Sequence, residues 1–121
     1  MVDCILVGLG GFAGTVLRYL IGLLPVKAES GFPVKTLLIN VIGSFAIGAL
    51  AVLVAKYKSV DPRLVLIIKV GVCGGFTTFS AFAYEAADLI QSGNIGVSIC
   101  YMVLSIVLGI AAIFGAQLLI R

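Results

Sequence analysis

A chain of 121 residues has room for one domain and little else. Hydrophobic residues make up 62% of it and charged residues only 11%, at a mean hydropathy of +1.29, whereas an ordinary soluble domain carries roughly 25% charged residues. The absence of histidine excludes histidine-based acid–base chemistry and most zinc sites, the net charge of +3 is too small and too scattered for a nucleic-acid surface, and no acidic pair lies inside an apolar run to support hydrolysis.

The chain is therefore expected to be an all-α membrane protein, one domain over residues 1–121, with helices at about 4–24, 34–55, 62–90 and 95–120. Each run approaches or exceeds the roughly 20 apolar residues that cross a bilayer. The first follows Met1-Val2-Asp3, which has no basic stretch, so a retained helix is expected rather than a cleaved leader. Pro25 and the segment Lys27-Ala28-Glu29-Ser30-Gly31 end it. The second run is uncharged from Thr36 to Ala55 and closes on Lys56-Tyr57-Lys58-Ser59. Asp61-Pro62 suits the start of the third, with proline at the first helical position. Gln91-Ser92-Gly93-Asn94 turns the chain into the fourth, and no charge occurs from Leu89 to Ile120.

Short connections make neighbouring helices antiparallel and put both termini on one side. That side carries Lys56, Lys58, Arg63 and Arg121, and the other carries Lys27 and Lys35. Such a shallow bias under the positive-inside rule allows both orientations to insert. Cys4, Cys73 and Cys100 stand alone in apolar runs and read as small hydrophobes.

Small residues recur at close-packing intervals: Gly10 with Gly14, Ser44 with Gly48, and Ser105 with Gly109. These spacings bring helix backbones together. The stretch Gly8-Leu9-Gly10-Gly11-Phe12-Ala13 also fits a dinucleotide fingerprint, but that motif needs a strand, a turn and a parallel sheet. Here the glycines fall inside a membrane helix, which excludes it.

Polar residues inside these runs carry the functional signal, because each costs free energy in lipid unless partnered. Asn40, Ser44 and Gly48 share one face of the second helix, and Tyr101, Ser105 and Gly109 share one face of the fourth. Thr77, Thr78 and Ser80 lie beside Phe79 and Phe82 in the third. Three polar faces in so small a protein read as the wall of a pathway. Amide and hydroxyl donors, with the positive edges of Phe79 and Phe82, suit a small anion. Arg18 adds a positive charge for a vestibule, and Lys69 reads as interfacial.

The third run is also expected to break at Gly74-Gly75-Phe76-Thr77-Thr78, where paired glycines weaken a helix. Freed carbonyls at membrane depth require a partner, and unwound carbonyls commonly hold sodium. Gly74 and Thr77 are the candidates, and one subunit supplies too few oxygens.

Three stretches together carry a resemblance. Gly10-Gly11-Phe12-Ala13-Gly14-Thr15-Val16-Leu17-Arg18-Tyr19, Asn40-Val41-Ile42-Gly43-Ser44-Phe45, and Gly71 through Glu85 with Gly74-Gly75-Phe76-Thr77-Thr78-Phe79-Ser80 at its centre resemble the Fluc/CrcB fluoride channels over nearly the whole chain. The resemblance implies a fluoride-selective channel, not an enzyme, that passively exports fluoride across the bacterial inner membrane. It implies a dual-topology antiparallel homodimer with two pathways and a central, non-transported Na+. The sodium carbonyls fall on Gly74 and Thr77, the paired phenylalanines on Phe79 and Phe82, and the pore asparagine on Asn40. Ser80, Tyr101 and Ser105 match the pathway and Arg18 the vestibule, with Thr78 and Glu85 assigned to gating or to the pathway. Ala81 and Ala83 depart from the Ser/Thr that many members carry, so the hydroxyl track beside the pore is thinner here.

Two other readings stay open at this point. A small multidrug-type dual-topology exporter would need a membrane-embedded glutamate in the first helix, which has none. A non-transporting assembly subunit would have its polar faces covered by another protein.

Overall fold

The computed structural model describes residues 1–121. Four helical spans are long and apolar enough to cross a membrane: α1 (Val2–Gly22), α2 (Val34–Lys56), a third span over Pro62–Gln91 and α6 (Ile95–Ile120). The third is assembled from α3 (Pro62–Leu66), a π-helical segment (Ile67–Cys73), a single turn α4 (Gly74–Phe76) and α5 (Phe79–Gln91).

Local chemistry explains several of the ends. The Asp61 carboxylate accepts the Arg63 N–H at 2.9 Å and Pro62 fixes the first helical φ, which starts α3. Gly93 stops α5 with φ 87°, and the Asn94 N–H folds back to the Leu89 carbonyl at 2.8 Å. The Lys35 ammonium donates to the Gly22 carbonyl at 2.8 Å, covering an acceptor left open at the end of α1.

Two contacts dominate the packing: α2 runs along α6, and α1 runs along the π segment and α4. Glycines allow the second. A methyl group added at Gly10 would stand 2.7 Å from the Ile67 carbonyl, and one at Gly71 would stand 2.8 Å from the Val7 carbonyl. The backbones therefore touch where side chains would separate them. Between α2 and α6, a methyl at Gly48 would likewise lie 2.7 Å from the Ile113 carbonyl.

Few side chains are enclosed: 13 of 121 residues are buried. Ala86, Leu89 and Tyr101 form a small core, with Phe32, Phe82 and Val97 against it. Ser98 is tied into α5 by donating to the Ala86 carbonyl at 2.8 Å. Most large apolar residues face outward, an arrangement that is stable where the surrounding medium is hydrocarbon.

The third span is broken within the expected stretch Gly74–Thr78, at its threonines rather than its glycines. Gly74 is helical (φ −64°, ψ −39°), and the chain first becomes extended at Thr77 (φ −81°, ψ 154°) and Thr78 (φ −148°, ψ 120°). Gly75 is held in helix by its packing on α1, while Gly74 stays helical at the surface without such contact. A methyl at Gly75 would stand 2.5 Å from the Gly11 carbonyl. The π segment before them was not expected from the sequence, since its wider turn leaves no residue pattern of its own.

Candidate functional site

The break is stabilised by side chains from neighbouring helices. Continued helix would pair the Thr78 N–H with the Gly74 carbonyl. Instead that N–H donates to Asn40 Oδ1 at 2.9 Å, while Asn40 Nδ2 donates to the Thr78 carbonyl at 3.1 Å. The reciprocal pair orients the amide, because its oxygen must accept and its nitrogen must donate. It also leaves Asn40 one further N–H.

The Ala81 N–H, whose helical partner would be the Thr77 carbonyl, goes to Thr78 Oγ1 at 3.2 Å and caps α5. Gly74 and Thr77 are thus the two carbonyls whose helical donors have been diverted to side chains. The intervening Gly75 carbonyl accepts from Arg18 Nε at 3.1 Å and from Thr15 Oγ1 at 3.4 Å. Gly74 lies at the surface of the chain, with open space where a side chain would stand. No three His, Cys, Asp or Glu side chains converge anywhere, so oxygens of the backbone or of neutral side chains are what the break offers a cation.

Beside the break is a cleft of about 370 Å³. Asn40 and Ser44 line it from α2, Thr77 and Thr78 from the break, Phe79 and Phe82 from α5, and Ser105 from α6. The two phenylalanine rings lie 5.9 Å apart and are inclined by 49°. Phe79 is 78% exposed, while Phe82 is part-buried and stacks on Tyr101 at 5.2 Å between centroids. Tyr101 in turn meets Phe32 edge-on at 5.4 Å.

Two hydroxyls stand out. Ser105 Oγ and Tyr101 Oη are both buried, and neither has a hydrogen-bond partner. Buried hydroxyls left in that state cost about 1–3 kcal/mol each. Ser105 lines the cleft, whereas Tyr101 does not and meets it only through the Phe82 ring.

The remaining candidates are placed around this cleft. Arg18 lines an adjoining recess with Thr15, Lys35, Thr36 and Thr78, the last residue being shared with the cleft. Its guanidinium is part-buried against the Gly75 carbonyl. Glu85 accepts from Thr36 Oγ1 at 2.7 Å and lines a further recess with Lys27, Lys35 and Asp88. Ser80 is outside the cleft, exposed and 3.3 Å from Thr78 Oγ1. Ala81 supplies only its N–H to the break, and Ala83 is exposed.

Ser44, read from the sequence as part of the Asn40 face, belongs to the cleft. One participant was missed: Thr36, which joins Glu85 to the recess. It lies four residues before Asn40 on the same helical face, which is the signal that could have found it.

Residues 5–117 match the family described as CrcB-like protein, Camphor Resistance (CrcB). Among curated proteins, the Agrobacterium fabrum "Fluoride-specific ion channel FluC" is 42% identical over 122 aligned positions, covering 100% of this chain and 98% of that protein. The proteins of the same name from Chlorobium phaeobacteroides and Chlorobaculum tepidum are 44% and 39% identical, covering 94% and 100% of this chain and 90% and 96% of their own lengths.

Proposed function

The chain belongs to the CrcB-like family, and from that premise we propose that it is a fluoride-selective channel through which fluoride leaves the cell passively. It is a multi-pass protein of the inner membrane and not an enzyme. The observation that carries the reading is the cleft itself. Amide and hydroxyl groups converge there with two phenylalanine rings, and the Ser105 hydroxyl is buried without a partner.

Fluoride must shed water to enter such a space, and only fixed donors can replace that water in hydrocarbon. Asn40, locked by Thr78, offers its remaining N–H without reorganising. Ser105 offers an O–H, and the ring edges of Phe79 and Phe82 offer partial positive charge. A cation would meet the positive end of the Asn40 N–H and of the ring edges, and only the hydroxyls could turn an oxygen toward it. Arg18 raises the local anion concentration in the recess that meets the cleft at Thr78. Tyr101 supports Phe82 from behind and holds a second free hydroxyl. Ser80 steadies Thr78, and Thr78 and Glu85 govern passage between the cleft and the outer recess.

The same proposal extends to assembly. The diverted donors at Gly74 and Thr77, and the open surface at Gly74, support a structural Na+ held by these two carbonyls. Two oxygens are too few for such an ion, so a second, antiparallel copy supplies the others, giving a dual-topology homodimer. The ion would contribute positive charge and rigidity at the axis and is not transported.

A proton-coupled small multidrug-type exporter is not favoured. The acidic residue of α1, Asp3, is at the helix end, half-exposed and paired with Arg63 at 3.0 Å. Purified protein in liposomes should release fluoride down its gradient while retaining chloride, at a rate indifferent to an imposed proton gradient. Fluoride release no faster than from protein-free liposomes would refute the channel reading.

A further inference from the structure

Away from the cleft, the C-terminal ends of α2 and α6 lie together and enclose a crevice of about 530 Å³. Its polar lining is Lys56, Gln117 and Arg121, and its apolar lining is Ala51, Val52 and Ala55. Neither cation has a carboxylate partner, since the ion pair of this protein is Asp3–Arg63. Lys56 is also held near the ring of Tyr57, 5.7 Å from its centroid. Both cations sit at helix C-termini, whose free carbonyls favour positive charge there.

A second crevice, of about 140 Å³, adjoins the first through Ala51. It runs between α2 and the third span and is lined by Ile47, Leu50, Val54 and Val65, with Lys69 at its polar edge. Lys69 makes no ion pair or hydrogen bond. A basic pocket at the membrane boundary thus stands beside an apolar slot within the membrane, with Ala51 common to both.

We propose that these two crevices form a binding site for one anionic phospholipid. Lys56, Gln117 and Arg121 take the phosphate, and an acyl chain lies along Ile47, Leu50 and Val54. The two cations match the charge of the headgroup. The apolar slot is what selects a lipid over free phosphate, which has nothing to place there. The slot borders the fluoride cleft at Ile47, so the test reads lipid retention and not flux.

The full chain would be reconstituted in vesicles of equal parts phosphatidylcholine and phosphatidylglycerol. After mild detergent extraction, the co-purifying lipid is measured by mass spectrometry. Phosphatidylglycerol should be retained over phosphatidylcholine. Lys56→Gln with Arg121→Gln should lower that preference on the order of tenfold. Lys58→Gln with Arg63→Gln, an equal change of charge on the same side, should leave it intact. Ala51→Leu, which adds bulk at the residue common to both crevices without changing charge, should also lower retention. Inorganic phosphate in the wash should not displace the lipid.

Equal loss in the two double variants would mean a diffuse surface charge and would overturn the site. So would displacement by phosphate together with no effect of Ala51→Leu, which would leave a phosphate pocket only.

Discussion

Asn40 directs its carbonyl and one amide hydrogen at the backbone of Thr78, so its contribution to ion passage and its contribution to folding can be separated. Asn40→Ala leaves the Thr78 N–H and C=O unpaired at membrane depth. It should destabilise the protein by about 2–4 kcal/mol, read as a lowered midpoint in detergent melts. Asn40→Asp keeps an acceptor for the Thr78 N–H but puts negative charge beside the anion. It should retain more of the fold while lowering fluoride flux about tenfold, the consequence of roughly 1.4 kcal/mol against the ion. Ser105→Ala has the opposite profile from Asn40→Ala. Its hydroxyl has no partner to lose, so stability should hold or rise slightly, while fluoride flux falls. Equal stability losses in Ser105→Ala and Asn40→Ala would contradict this assignment. At this scale the sequence was informative because the polar residues announce themselves in an apolar background. Asn40, Ser105, Phe79 and Phe82 reach one cleft. Thr36 was overlooked because a threonine two residues into a helix ordinarily needs only a local backbone partner, whereas here it serves Glu85.

Among the elements, the third span shows why a break is easier to foresee than to place. Propensity points to Gly74 and Gly75, but close packing on α1 holds Gly75 in helix, Gly74 stays helical beside it, and the extended residues are Thr77 and Thr78. Tertiary contact overrides propensity there. The break falls where Asn40 and the Thr78 hydroxyl can supply bonds that the helix gives up. The π segment was illegible in sequence because no residue type marks a π turn. These contacts yield a paired prediction. Gly10→Ala should separate α1 from the third span and cost about 1–3 kcal/mol, seen as a lower melting midpoint or loss of the monodisperse peak. Gly8→Ala meets nothing within 4 Å and should behave as wild type. A wild-type midpoint for Gly10→Ala would show that the glycine contact is not limiting.

For the whole molecule, hydropathy alone was enough to read four crossings, since apolar runs of this length have no place in a small soluble core. The thin core supports the same conclusion: much of the apolar surface faces outward, toward lipid and, in our proposal, a second copy. The expectation of a second copy rests on the family resemblance and on the few oxygens at Gly74 and Thr77, because no residue count distinguishes a lipid-facing surface from a subunit-facing one. If Gly74 and Thr77 hold Na+ between two copies, replacing sodium on both sides of the membrane by a large organic cation should abolish fluoride flux. The protein should remain folded, with its far-ultraviolet circular dichroism unchanged. Undiminished flux without sodium would remove the ion from the account. Fluoride passage along the donors of the Asn40–Phe82–Ser105 cleft is the core of the proposed function. Its most direct test is the initial rate of fluoride efflux from liposomes, followed with a fluoride electrode at matched protein density. Wild type should empty its vesicles of fluoride and hold chloride, and Phe82→Ile and Ser105→Ala should each slow fluoride release. Wild-type rates in both variants would contradict the pathway, even if fluoride still crossed the membrane.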